Sequence, residues 1–199
     1  MNQPTPGALH VVHIISAALR PEVDPALVDA ALERARALQD APGARRVVLA
    51  RSAEALLAAI WLDDRAALET FAASPEHMGF VMRGLAPCIA GMWSAAVETP
   101  ADPPPPDQPP EALWVFAVRA SDTAFEWQVR DLVQSLEALP AGVGVVAAGP
   151  TFEERDRYRA GGVACVTDLA AFQDALEHAR TGWGEIASDI VAASAGVVR

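Results

Sequence analysis

The hydrophobic pattern divides the chain into two runs of the same order. "LHVVHII" (9–15) is apolar at nearly every position, as a strand covered on both faces would be. Leu27, Ala31, Ala35 and Leu38 then recur at helical spacing. Asp24 stands before them as N-cap, Pro25 takes the first helical position, and "APG" ends the helix at Gly43. "RRVVLA" (45–50) and "ALLAAIWL" (55–62) read as two strands around a short polar turn. Asp63 and Asp64 cap a helix with Ala67, Leu68 and Phe71 on one face. That helix stops at Ser74, because the ring of Pro75 disfavours a helical residue before it. A further helical segment runs towards Ala86, and "CIAGMWSAAVE" (88–98) closes the run as a strand.

"ETPADPPPPDQPPEA" (98–112) interrupts the pattern with prolines that remove amide donors and favour an extended backbone. The order then returns: strand "ALWVFAVRA", a helix from about Thr123 to Leu139, strands "VGVVAAG" and "GGVACVT", helices from Asp168 and a last strand ending near Val198. Adding 105 to the numbering brings Leu9 onto Trp114, Trp61 onto Val166, Asp63 onto Asp168 and Gly79 onto Gly184, which points to a tandem duplication. "TFEERDRYRAGG" lengthens one hairpin of the second copy. The expected domains are a first half (1–98), a proline-rich linker (99–111) and a second, divergent half (112–199). A β-α-β-β-α-β order gives each half a ferredoxin-like α+β fold, with helices on one sheet face. The other face is apolar too, so the halves are expected to pack sheet to sheet as a barrel.

Composition narrows the partners. At 52% hydrophobic and 21% charged, the chain is too apolar to be disordered. A formal charge of -11 repels phosphate backbones and anionic lipid, which argues against nucleic-acid and membrane-surface binding. Arg45, Arg46 and Arg51 are the nearest approach to a basic patch, and they read as a solvated strand edge. The uncharged run Gly84–Val97 is shorter than the roughly 18 to 20 residues a membrane span needs. No Lys or Arg precedes the apolar run Ala8–Leu19, so it does not read as a signal segment. Cys88 and Cys165 have neither CxxC spacing nor a partner histidine, which fits a reducing cytoplasm and no metal site.

At "LHVVHII", "FAASPEHMGF" (71–80) and the closing strand "CIAGMWSAAVE", the first half resembles the stress-responsive dimeric α/β-barrel domain family. The second half shares the resemblance through the repeat. In that family the halves usually pair as separate chains, so this chain resembles an intrachain pseudo-dimer and leaves room for a further homo-oligomer. The best understood activity in the family, a plant polyketide cyclase, uses a histidine in a P-x-H element, a first-strand histidine and a tyrosine before the helix break. The resemblance carries the first role to His77 and the second to His10. Phe71 stands where the tyrosine would be, without its hydroxyl.

Read as chemistry, His77 lies near the start of its helix, where a neutral imidazole is favoured and can accept a proton. Phe71, Phe80, Trp61 and Met82 are the expected lining of an apolar pocket beside it, suited to a small carbonyl compound. Glu76 would instead raise the proton affinity of His77. His10 and His13 lie three apart on a strand and point to opposite faces, so they cannot share a metal ion. His10, with Val12 and Ile14, is expected to face the helices and look towards His77, while His13 faces the sister sheet as a hydrogen-bonded core histidine. The repeat places Val115 and Gly182 opposite His10 and His77, so one site is expected, in the first half. The five tryptophans are expected to fill barrel core. "GVGVVA" (142–147) opens a strand and no helix, and so is not a dinucleotide cradle.

The resemblance implies a stress-responsive barrel protein that binds a small apolar or aromatic carbonyl compound in a first-half pocket. The alternative is a cofactor-free polyketide cyclase-like or monooxygenase-like enzyme with His77 as base. A purely structural barrel is the non-enzymatic counterpart. Related barrels also include haem enzymes, in which His77 would be an axial ligand; the base-driven reading needs no cofactor.

Overall fold

A computed structural model describes residues 9–119, 126–139, 143–152, 158–183 and 190–198. The expected helix start at Thr123, Gly184 of the repeat alignment and Gly142 of the "GVGVVA" run lie outside these residues. Within them the first half runs β1 (His10–Leu19), α1 (Pro25–Arg36), β2 (Ala44–Arg51), β3 (Ala55–Leu62), α2 (Arg65–Ala72), α3 (Pro75–Gly79) and β4 (Ile89–Thr99). The second runs β5 (Ala112–Arg119), α4 (Glu126–Glu137), β6 (Val143–Pro150), β7 (Tyr158–Val166), α5 (Leu169–Arg180) and β8 (Ile190–Val197).

Local chemistry sets the helix starts. Asp24 Oδ1 accepts from the amide of Ala26 at 2.9 Å, Asp64 from Ala67 at 2.8 Å and Asp168 from Ala171 at 3.0 Å. On α1 the buried stripe is Val28, Ala31, Leu32 and Ala35; Leu27, expected on that face, is exposed. Gly43, just past the helix, has φ +77°, and a Cβ there would lie 2.7 Å from Cβ of Ala67. Only glycine accommodates both the left-handed backbone and that approach.

The strands form one antiparallel sheet in the order β4-β1-β3-β2-β8-β5-β7-β6, so each half contributes a ferredoxin-like 4-1-3-2 block. The halves join through β2 and β8, where Ala50 pairs with Val197 and Arg51 with Gly196. At the other edge, β4 and β6 meet through a bridge between Val97 and Thr151, and the sheet closes as a barrel. Val12, Ile14, Val48, Trp61, Val115 and Val163 fill its interior. α1 to α3 cover the outer face of the first block and α4 and α5 that of the second. Arg65 reinforces the β4–β6 seam, holding Glu98 with hydrogen bonds of 2.7 and 2.6 Å while its guanidinium lies 4.3 Å over the ring of Phe152 from the second half. The proline-rich segment ends at Glu111, whose N–H donates to Val166 and whose carbonyl accepts from Val197, placing the chain at the head of β5.

The two blocks match more closely in register than in sequence. Both β2 and β6 carry a bulge, between Ala44 and Arg46 and between Val143 and Val145, opposite Trp61 and Cys165 respectively. Trp61 therefore corresponds to Cys165, not Val166. Likewise His13 opposes Ile60 as Trp114 opposes Ala164, so the counterpart of His13 is Trp114. A uniform offset of 105 misses the strand by four residues and the helix cap by one, since Asp64 and Asp168 are the actual N-caps.

Gly149 faces the seam directly: a Cβ there would stand 2.4 Å from the carbonyl oxygen of Glu98. Gly149→Ala is expected to destabilise the protein by about 1–3 kcal/mol, because backbone rather than a movable side chain is in the way. Gly91→Ala, where nothing lies within 4 Å, is the control and should leave the urea midpoint nearly unchanged. Equal midpoints for the two variants would refute the closed seam.

Candidate functional site

Pro75 and Ser74 build the local frame of His77. Ser74 Oγ accepts from the His77 amide at 3.2 Å, Pro75 occupies the first turn, and the chain beyond Gly79 widens into a π-helical turn over Phe80–Leu85. The His77 ring turns back to the preceding helix, with Nδ1 2.9 Å from the carbonyl oxygen of Ala72. A carbonyl only accepts, so Nδ1 carries the proton and donates it. Nε2 is then left with its lone pair, and it has no partner among the described residues.

Beside this ring lie Phe71, with centroids 5.0 Å apart, and His13, at 6.2 Å. The His13 ring stands 6.3 Å from Phe71 in an edge-on arrangement, closing a three-ring cluster between β1 and the α2–α3 corner. His13 Nδ1 is sealed from solvent without a hydrogen-bond partner. Burial, with repulsion from His77 as the smaller cause, lowers the His13 pKa to about 4. Burial also holds His77 below the usual imidazole range, opposed by its hydrogen bond to Ala72. Glu76, expected to raise that proton affinity, does not outweigh burial. Both rings are neutral near pH 7, a pair able to accept a proton but poorly able to keep one.

The expected faces of β1 are therefore exchanged. Val12 and Ile14 point into the barrel, while Val11, His13 and Ile15 point to the helices. His10 shares the interior parity and sits at the barrel's end, where Arg45 Nη1 lies 2.7 Å from its Nε2 and Asp102 Oδ1 lies 3.4 Å away. It cannot look towards His77; the histidine that does is His13. The expected lining separates too. Phe71 touches His77, but Trp61 is fully buried in the barrel interior on the opposite sheet face. Met82 is 60% exposed, and Phe80 packs with Leu32 and Leu85 around a void of about 10 Å³, room for one water at most. Arg45 and Arg51 lie on the surface paired with Asp63 and Asp29, whereas Arg46 points inward beside Trp61. Trp61 lies in the barrel interior with Trp93 packed against that cluster, Trp114 and Trp183 pack under the second half's helices, and Trp127 is 54% exposed, so the tryptophans fill the barrel interior only in part.

In the second half Trp114 occupies the position of His13, stacks on Phe116 at 4.9 Å and meets Phe172 at a tilt at 5.6 Å. A packed ring stands where the first half has the His13 imidazole. His178 is exposed on α5. Among the described residues no three His, Cys, Asp or Glu side chains are placed to hold a metal ion, and no helix is long and apolar enough to cross a membrane.

The fold is that of the ferredoxin-like dimeric α/β barrels, here within one chain. No family model matches the sequence, and no curated protein matches it. Solved structures match over nearly its whole length. An anthrone oxidase-like protein has a TM-score of 0.65 at 8% identity, covering 96% of this chain and 92% of its own. A candidate monooxygenase of Fusobacterium nucleatum subsp. nucleatum scores 0.60 at 9% identity, with coverage of 96% and 92%. A candidate chlorite dismutase scores 0.56 at 11% identity, covering 96% and 95%. At these identities the likeness is one of fold.

Proposed function

We propose that this chain is a single-chain member of the stress-responsive dimeric α/β-barrel group, divided at residues 99–111 and descended from a tandem duplication. Its first half takes a small aromatic or polyketide-like carbonyl compound and begins the reaction by proton abstraction, without a cofactor. The carrying observation is the hydrogen bond from His77 Nδ1 to Ala72, which fixes the tautomer with Nε2 free to act as base. His77 takes a proton from an acidic C–H or O–H, leaving an enolate or phenolate. His13 keeps the surroundings apolar and resists becoming charged itself, so the proton is not passed on to His13. Phe71 supplies an aromatic wall 5.0 Å from the base. Anthrone oxidase-like and monooxygenase-like proteins on the same fold support chemistry of this broad kind.

Anthrone is a suitable first probe, since its C10–H is acidic. In deuterated buffer without oxygen, the protein should speed C10 deuterium uptake, followed by mass spectrometry, and admitting air then reports whether oxidation follows. Exchange no faster than in buffer across anthrone and a set of 1,3-diketones, with no rise in Tm from any of them, would refute the reading.

A further inference from the structure

Taking a proton from the carbon next to a ketone moves negative charge onto the ketone oxygen, and that oxygen needs a hydrogen-bond donor aimed at it. Phe71 carries no hydroxyl. The strand beside the three-ring cluster, β4, does carry one.

Register fixes which β4 side chains share the face of His13. Ala96 pairs with His13, Ser94 with Ile15 and Met92 with Ala17, all on the helix side, while Trp93 and Val97 turn to the barrel interior. The first half's helices centre on β1, β2 and β3 and leave part of this face of β4 open. Ala96 is fully buried beside the cluster, Ser94 is half-buried and Met92 is 45% exposed, so a ledge runs from solvent towards His13. It spans about 13 Å from residue 92 to residue 96, and its floor between them is made of small side chains. At its closed end Glu98 is held by Arg65, so the carboxylate on this face is already matched. Ser94 is the diagonal neighbour of His13, about 7 Å away on the same face. Its hydroxyl has no hydrogen-bond partner among the described residues.

We infer that Ser94 is the oxygen donor of this site: a planar fused-ring ketone lies along the β4 ledge, its oxygen accepts from Ser94 Oγ–H, and its acidic carbon faces Nε2 of His77. Anthrone has this shape, with oxygen and C10 at opposite ends of its middle ring. When the C10 proton passes to Nε2, the C–H bonding pair enters the ring system and the charge settles on the oxygen that Ser94 holds; no further reactant is consumed. The inference rests on His77 acting as the base, but ketone binding at Ser94 can be read without any reaction.

The test is isotope-edited infrared difference spectroscopy of anthrone, ¹³C-labelled at the carbonyl, bound to the full chain without oxygen. Against the wild type, Ser94→Ala should move the carbonyl band to higher wavenumber, because a hydrogen bond to the oxygen is lost. Ser94→Thr keeps a hydroxyl on a residue suited to a strand and should keep the band low. His77→Gln should leave the band in its wild-type place, so the band reports on Ser94 even if deuterium exchange reveals no base. In C10 exchange, Ser94→Ala should lower kcat/KM by about 10–100-fold, the worth of a hydrogen bond to a charged oxygen, with the loss mainly in kcat because the bond strengthens as charge develops. Ser94→Thr should recover most of it. Absence of a bound-ketone band, a band unmoved in Ser94→Ala, a band that moves instead in His13→Phe, or full exchange activity in Ser94→Ala would each overturn the assignment.

Discussion

His77→Gln should slow deuterium exchange at the acidic carbon of a bound ketone by about 10²–10⁴-fold, the usual contribution of a positioned general base. Gln can still donate to the Ala72 carbonyl, so the helix corner should persist and Tm should change little; what disappears is the Nε2 lone pair. The pH profile adds a readout that a merely structural histidine would not move. Burial holds the His77 pKa below the ordinary value near 6.5, so kcat/KM should stay flat as pH falls from 8 to about 6.5 and decline only below. The residual activity of the Gln variant should lack that inflection. A variant that exchanges at the wild-type rate would make His77 only a helix-start residue bonded to its neighbouring turn.

Anything set by short-range chemistry was legible before the coordinates. β3 spans 55–62 as expected, and Asp24, Asp64, Ser74 and Asp168 are N-caps because their side chains need only an amide two or three residues on. The place of His77 just inside the helix that Ser74 caps is legible for the same reason, from Ser74-Pro75 and the turn that follows. The sheet faces were not legible, because β1 is apolar on both sides and parity is decided by register with β3 and β4. One step of parity exchanged His10 for His13 and removed Trp61 from the site. A bulge had a similar effect in β2: it turned Arg46 inward between Arg45 and Val47, where alternation alone suggested a solvated edge. The π-helical turn after Gly79 shifts the helical phase, and Met82 is carried out to solvent instead of facing the base.

The deep burial of His13 should make the protein sensitive to acid well above the range in which carboxylates titrate. In the unfolded chain this imidazole takes a proton near pH 6.5, whereas in the folded protein it does so only near 4. Between those values the unfolded state binds more protons, so stability is fully present above about 6.5 and falls as pH drops towards 4. From pH 7 to 4.5 the loss from this one group amounts to about 2–3 kcal/mol, and His77, also lowered, adds in the same direction. The surroundings offer no compensation: Phe71 from α2, His77 from α3, Ile60 from β3 and Ala96 from β4 face the ring, and none is anionic. Net charge works the other way, since lowering pH towards the pI of 4.7 relieves self-repulsion. Comparing variants cancels that background. His13→Phe places a ring of similar size beside Phe71 and has nothing to protonate, so its urea unfolding free energy should fall by about 2–3 kcal/mol less than the wild type's over the same interval. Parallel curves for the two proteins would mean that His13 takes up a proton as readily in the fold as in the unfolded chain, and the desolvated setting assigned to the ring beside His77 would be refuted.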